Sequence, residues 1–244
     1  MGAGVESDGP GTTRVGRDPA ARRRLLLDRA QELFFARGYD ATSVDDVLAA
    51  AGSSKGAFYH HFVSKEALLE AIAERLAEQG VAQAGDVLAD PGLDALDRLN
   101  AFLAGSRRLK LDAAPLVRRT LPVIFRPENV ALRHRITAAT IARVAPVLAV
   151  IIAQGSQEGV FDTPDPLGTA ELLLHLGTAA QDTIVRAIAQ ADRGETEEAA
   201  ALLEGRLRLV EVAFNRVLGL PDRAVSLAEP GFAAAVLRAA PVEG

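Results

Sequence analysis

Gly52-Ser53-Ser54-Lys55-Gly56-Ala57-Phe58-Tyr59-His60-His61-Phe62-Val63-Ser64-Lys65-Glu66 is the stretch from which the rest of the chain can be read. Ser54 has the side chain to cap a helix start. Behind it, Phe58 and Phe62 stand four apart on one helical face, leaving Lys55, Gly56, Tyr59 and His60 on the other. A cation, a bare backbone patch, a phenol and an imidazole suit a groove lined with phosphates and base edges. The free N–H groups at the helix start add an anion-binding end. A short amphipathic helix with a merely solvated polar face has the same pattern, so the residues before it must decide.

Those residues read as two more helices. Ser43 and Asp46 form a capping-box pair ahead of Val44, Val47, Leu48 and Ala51, and Gly52 closes that helix. Further back, Asp18-Pro19 places a cap residue before a proline at the first helical position. Leu26, Ala30, Leu33 and Phe34 then recur at helical spacing up to a stop at Gly38. Two short helices joined by a glycine-bearing turn make a helix-turn-helix, whose second member can lie in a DNA major groove.

The run Ala36-Arg37-Gly38-Tyr39-Asp40-Ala41-Thr42-Ser43, followed by Val47-Leu48-Ala49-Ala50-Ala51-Gly52 and by Phe58 through Leu69, resembles the DNA-binding domain of TetR-family transcriptional regulators. The likeness covers roughly residues 19 to 70, and Tyr-x-His-Phe-x-Ser-Lys-Glu is its most specific part. It implies that Thr42, Tyr59, His61 and Lys65 contact phosphates, and that Lys55, Gly56, Ala57 and His60 face base edges. Ser43 and Ser54, at the two helix starts, complete the candidate set. Ser53 departs from the family pattern, which usually has a small apolar residue there, and looser packing is expected at that turn. Ala57 fills a position often held by threonine and removes one hydroxyl contact.

Composition narrows the alternatives. The chain has 244 residues, 49% of them hydrophobic, enough for one large or two modest cores. It has no cysteine and four histidines, so neither disulfides nor a transition-metal site is expected. Residues 14–65 carry nine Lys/Arg against six Asp/Glu, whereas residues 66–244 carry eighteen against twenty-four. A basic head on an acidic body fits a protein that touches DNA at one end. No Gly-rich phosphate loop, Gly-x-Ser-x-Gly elbow or His-Glu-x-x-His motif occurs, so an enzyme is disfavoured and no cofactor is expected. A helical adaptor binding only protein would leave Lys55, Tyr59 and Lys65 without a role. Residues 1–17 are Gly-rich and polar, and the longest apolar run, Val144 to Ala153, is too short for a bilayer, so a cytoplasmic protein without membrane attachment is expected.

Beyond the head, helical periodicity continues and no strand alternation appears; the expected fold is all-α. The division expected is a tail over 1–17, a helix-turn-helix domain over 18–65, a helical ligand-binding and dimerisation domain over 66–220, and a C-terminal tail over 221–244. Ser64 caps a linking helix that is expected to end between Gly80 and Gly85. A helix follows over about 93–113; Pro115, Pro122 and Pro127 are expected to break the next segment into short pieces. Long helices are then predicted over 128–155 and, from the Asp165-Pro166 cap, over 166–191. Thr196 is expected to cap the last one.

Two apolar stripes run along that last helix. Leu203, Leu207, Val210, Phe214 and Val217 alternate spacings of three and four and are assigned to a dimer seam; Leu202, Leu209 and Ala213 lie beside them. The family resemblance implies the same homodimer, built from the last two helices and acting on a palindromic double-stranded operator under the control of a small-molecule effector. Phe102, Phe125 and Ile141 are candidates for the effector pocket's apolar wall, with His175, Thr178, Gln181 and Asp182 as its polar groups. Residues 221–244 are expected to be irregular, with one short helix near Phe232 to Arg238.

Overall fold

The computed structural model describes residues 18–238. The tail expected over 1–17 and the last six residues lie outside them. Among the described residues the fold is all-α, with eleven α-helices, one 3-10 turn at Pro127–Asn129 and no strand. Helices α1 (Pro19–Arg37), α2 (Val44–Ala51) and α3 (Lys55–His61) form the head. The body comprises α4 (Lys65–Ala89), α5 (Ala95–Asp112), α6 (Ala114–Ile124), α7 (Val130–Gln157), α8 (Pro166–Thr178), α9 (Gln181–Ala191), α10 (Thr196–Val217) and α11 (Phe232–Arg238).

Local chemistry sets most of these boundaries. The Asp18 carboxylate accepts from Ala20 N–H, and Gly38 ends α1 at a φ of 86°, where a side chain would be strained. The linking helix runs past Gly80 and Gly85 to Ala89, which corrects the expected end. Gly80 lets α4 pass close to α5, since a Cβ there would meet Leu109 at 3.3 Å. Pro122 likewise fails to break α6: it stands two residues from the helix end, so only one backbone bond is forfeited. The helix expected over 166–191 is two helices, because the backbone tightens at Ala179 and Ala180, whose N–H groups bond three residues back to Leu176 and Gly177. The Thr178 hydroxyl, donating to His175 O at 2.7 Å, competes for the carbonyls of that turn. Glu195, not Thr196, occupies the cap position of α10, without a side-chain bond.

Three cores follow. The first joins Leu26, Phe34, Val47, Phe58, Phe62, Leu68 and Ile72 to Leu116, Val123 and Ile124 of α6, so head and body share one apolar interior. The second lies between α5, α7, α8 and α10, around Leu99, Ile151, Ile152, Leu173 and Phe214. The third, between α9, α10 and α11, is built mainly from alanine with Ile188, Leu203 and Leu237. The segment Pro127–Gln157 is long and apolar enough to cross a membrane by length and composition, beyond the shorter run read from sequence. Here it packs against α4, α5 and α8. Arg135 pairs with Glu70 at 3.0 Å, and Arg143 reaches Glu74 at 3.4 Å and Glu78 at 2.7 Å, so charges ladder the α4–α7 seam. Arg75 of α4 continues the series to Asp28 of α1 at 2.5 Å.

Gly155 lies flat against the Phe161 ring, and a Cβ there would stand 2.1 Å from a ring carbon. Gly155→Ala must therefore displace Phe161 from the second core. The expected loss is about 1–3 kcal/mol, the usual cost of overpacking, read as a lower denaturant midpoint with unchanged slope.

Candidate nucleic-acid interface

The head is a frame for the outer face of α3. At the start of α2 the Ser43 hydroxyl accepts from Asp46 N–H at 3.1 Å while the Asp46 carboxylate accepts from Ser43 N–H at 2.8 Å, a reciprocal capping box. The Ser43 hydroxyl also donates to the Asp46 carboxylate at 2.6 Å, and this bond, then the backbone one, holds the Asp46 carboxyl below its ordinary range. Gly52 turns the chain at a φ of 55°, and the Ser54 hydroxyl accepts from Ala57 N–H at 3.3 Å to open α3. Ser53, between them, leaves its hydroxyl buried without a partner, a cost that the usual apolar residue would not incur.

Phe58 and Phe62 are buried with their rings 5.9 Å apart, and Arg23 of α1 stacks 5.1 Å from the Phe62 ring. That burial fixes the rotation of α3 and turns Lys55, Gly56, Tyr59 and His60 outward. Tyr59 is 57% exposed yet rests edge-on against Phe58 at 5.3 Å, so its hydroxyl is presented on a stiff stem. The His60 and His61 rings lie 4.9 Å apart. His61 has its pKa pushed down, first by burial and then by the nearby His60, Arg23 and Arg22. An open cleft of about 510 Å³ runs between the start of α1 and α3, lined by Asp18, Pro19, Arg22, Ser54, Gly56, Ala57, His60 and His61.

Two assigned contacts are turned elsewhere. Thr42 is fully buried, and its hydroxyl donates to Gly38 O at 2.8 Å. Lys65 donates to Tyr39 O at 2.9 Å and Thr42 O at 3.0 Å, with its ammonium 4.0 Å above the Tyr39 ring. In this conformation the Thr42 hydroxyl and two of the three Lys65 N–H groups brace the α1–α2 turn rather than an outer surface. Lys55 remains at the surface but pairs with Asp45 of α2 at 3.1 Å, a neighbour that sequence spacing did not expose. Arg22 was also missed; the Arg22-Arg23-Arg24 run beside the first cap was its available signal.

The proposed effector wall is not assembled. Phe102 and Ile141 belong to the second core, whereas Phe125 packs on the first, beneath the Arg133 guanidinium at 4.8 Å. His175 and Asp182 are exposed, Gln181 is half-buried, and the break after Thr178 separates the four polar residues onto two helices. The dimer stripe also needs correction. Leu203, Val210 and Phe214 are buried in the chain's own cores, and Leu207 and Val217 pack against the same clusters. The outward stripe of α10 is Leu202, Leu209 and Val212, with Leu172 exposed on α8.

The model for bacterial regulatory proteins of the tetR family matches residues 26–72, and a tetracyclin repressor-like C-terminal domain matches residues 118–186. The HTH-type transcriptional repressor Rv1474c of Mycobacterium tuberculosis is 39% identical over 102 residues, covering 38% of this chain and 54% of its own. The HTH-type transcriptional repressor KstR2 of Rhodococcus jostii is 38% identical over 87 residues, 36% of this chain and 42% of its own. The chain thus spans about half the length of the curated relatives it matches. A TetR-family regulator from Pectobacterium atrosepticum superimposes with a TM-score of 0.61 at 24% identity, over 86% of this chain and all of that one, a likeness of fold. Matched in its helix-turn-helix and in its helical body, this chain belongs to the TetR family of bacterial regulatory proteins.

Proposed function

We propose that the protein is a cytoplasmic, homodimeric repressor that binds a palindromic DNA operator and releases it when a small apolar or amphipathic molecule enters the body. The observation that carries this reading is the outward face of α3, where Lys55, Gly56, Tyr59 and His60 stand over a buried Phe58–Phe62 base. Dimerisation is assigned to the exposed Leu172 of α8 and Leu202, Leu209 and Val212 of α10, an apolar group that a second copy would cover. Two heads so joined would meet successive major grooves one helical turn apart. The test is selection of bound sequences from a random duplex pool, followed by a small-molecule screen for release. Failure to enrich any sequence would remove the repressor reading.

His61 supplies a further check. Its lowered pKa keeps it neutral in the free protein, while a neighbouring phosphate favours the charged ring. DNA binding then takes up a proton, and affinity rises as pH falls towards the histidine's lowered pKa. His61→Gln is expected to flatten that dependence in duplex titrations across the histidine range.

A further inference from the structure

The chain after α10 doubles back over the body, and its backbone is read by side chains from three helices. Asn100 of α5 donates to Ala224 O at 3.0 Å and accepts from Ser226 N–H at 3.3 Å, a two-point grip on one stretch of peptide. Arg107, also on α5, donates to Ser226 O at 2.6 Å and pairs with Glu229 at 3.1 Å. On α10, fully buried Asn215 accepts from Val225 N–H at 3.0 Å, and Glu211 accepts from Leu227 N–H at 3.1 Å. Arg118 of α6 donates to Leu237 O, near the end of α11, and pairs with Asp192 beyond α9. The side chains of Arg107 and Arg118 are only 13% and 15% exposed, and Val225, Ala233, Val236 and Leu237 are buried beside them. Desolvating two guanidinium groups is costly unless their bonds are made, so this segment is built to stay docked.

The helix it holds is the one that also meets the head. Arg119, next to Arg118 on α6, donates to Ala36 O at the end of α1 at 2.5 Å. Arg126, just past the end of α6, grips Asp40 of the α1–α2 turn with two bonds of 3.0 and 2.5 Å. Leu116, Val123 and Ile124 place the same helix in the head's core. We propose that residues 219–238 form a strap that clamps α6, and that Arg118 is a positioning residue that sets DNA affinity from outside the head by holding α6 against α1. The inference rests on the DNA-binding reading above. A packed helix gripped at both ends transmits a change at one end as a shift at the other.

The test uses the full chain with Arg118→Met, Arg118→Lys and Asn100→Leu. The last loosens the strap without altering α6. Arg118→Met and Asn100→Leu are each expected to weaken binding to a selected duplex roughly tenfold. Arg118→Lys, which keeps one donor for Leu237 O, recovers most of it. Amide exchange supplies a second readout: Val225 and Leu227 report on the strap, and Gly38 and Thr42, bonded to Phe34 O and Tyr39 O, report on the head. Faster exchange at both places supports the clamp. Faster exchange confined to the strap, with duplex affinity unchanged, overturns it. If the unaltered protein binds no duplex, the DNA reading falls, and exchange at Gly38 and Thr42 alone decides the clamp. Should Arg118→Met fail to fold, the other two variants carry the test.

Discussion

Leu209→Arg is expected to yield a folded monomer and Phe214→Arg to yield little folded protein, although the two side chains stand on one helix. Phe214 is buried against Leu218, Leu173 and the rest of the second core, so arginine there removes a large apolar contact and desolvates an unpaired charge. The expected destabilisation is about 4 kcal/mol or more, a large fraction of a domain's total stability. Leu209 is 59% exposed, and replacing it changes the isolated chain little. Across a twofold interface, however, the new charge meets a desolvated apolar partner, and dimer affinity should fall by roughly a hundredfold or more. Sedimentation with thermal melting separates the outcomes. A dimeric Leu209→Arg protein would move the interface off this stripe.

Lys65→Met is expected to destabilise the head by about 2 kcal/mol while the helices persist, because two charge-assisted bonds and a ring contact are lost together. The carbonyls of Tyr39 and Thr42 lose their donor, and the turn entering α2 loosens. The neighbouring Tyr39 hydroxyl donates to Glu66 at 3.1 Å. Burial first, then the Glu66 charge, pushes the phenol's pKa up, so it remains a donor at every ordinary pH. The Glu66 carboxyl is held below its usual range, chiefly by the Ser64 hydroxyl, then by its own backbone N–H and by Tyr39. A lowered carboxylate pKa contributes stability that is present above the unfolded value and disappears as pH drops through the folded one. Urea midpoints should therefore fall on acidification, and Glu66→Gln should reduce that fall. Equal melting temperatures for Lys65→Met and the unaltered chain would return Lys65 to the list of side chains available for phosphate.

The head was legible because its signals are local. Ser43 with Asp46, Gly38, Gly52 and Ser54 each act within one turn, and the Phe58–Phe62 spacing states which side of α3 is inward. What α10 faces was not legible in the same way. Its two stripes are both apolar, and only the placement of α8, α9 and α11 decides which one the chain covers itself. Lys65 misled for a related reason: a cation near a helix start has the same sequence appearance whether it meets a phosphate or a carbonyl more than twenty residues earlier. The break at Ala179 had a local signal in Gly177-Thr178, two poor helix formers, which the apolar periodicity on either side outweighed. The strap carries almost no periodicity, and its partners, Asn100, Arg107 and Arg118, lie more than a hundred residues earlier.

The charges between α4 and α7 bear on how operator binding would be measured. Glu70, Glu74 and Glu78 face Arg135 and Arg143 at the surface, each pair weak in itself and open to screening. Added electrolyte acts in two places at once: it competes for the DNA phosphates, and it slackens the helix that sets the position of the head. The slope of log affinity against log ionic strength is then a composite, steeper than the number of phosphates touched. Arg143→Gln, which removes two of the ladder's three pairs and leaves Arg135 with Glu70, should make that slope shallower, and the difference measures what those two pairs add to the count of released counterions.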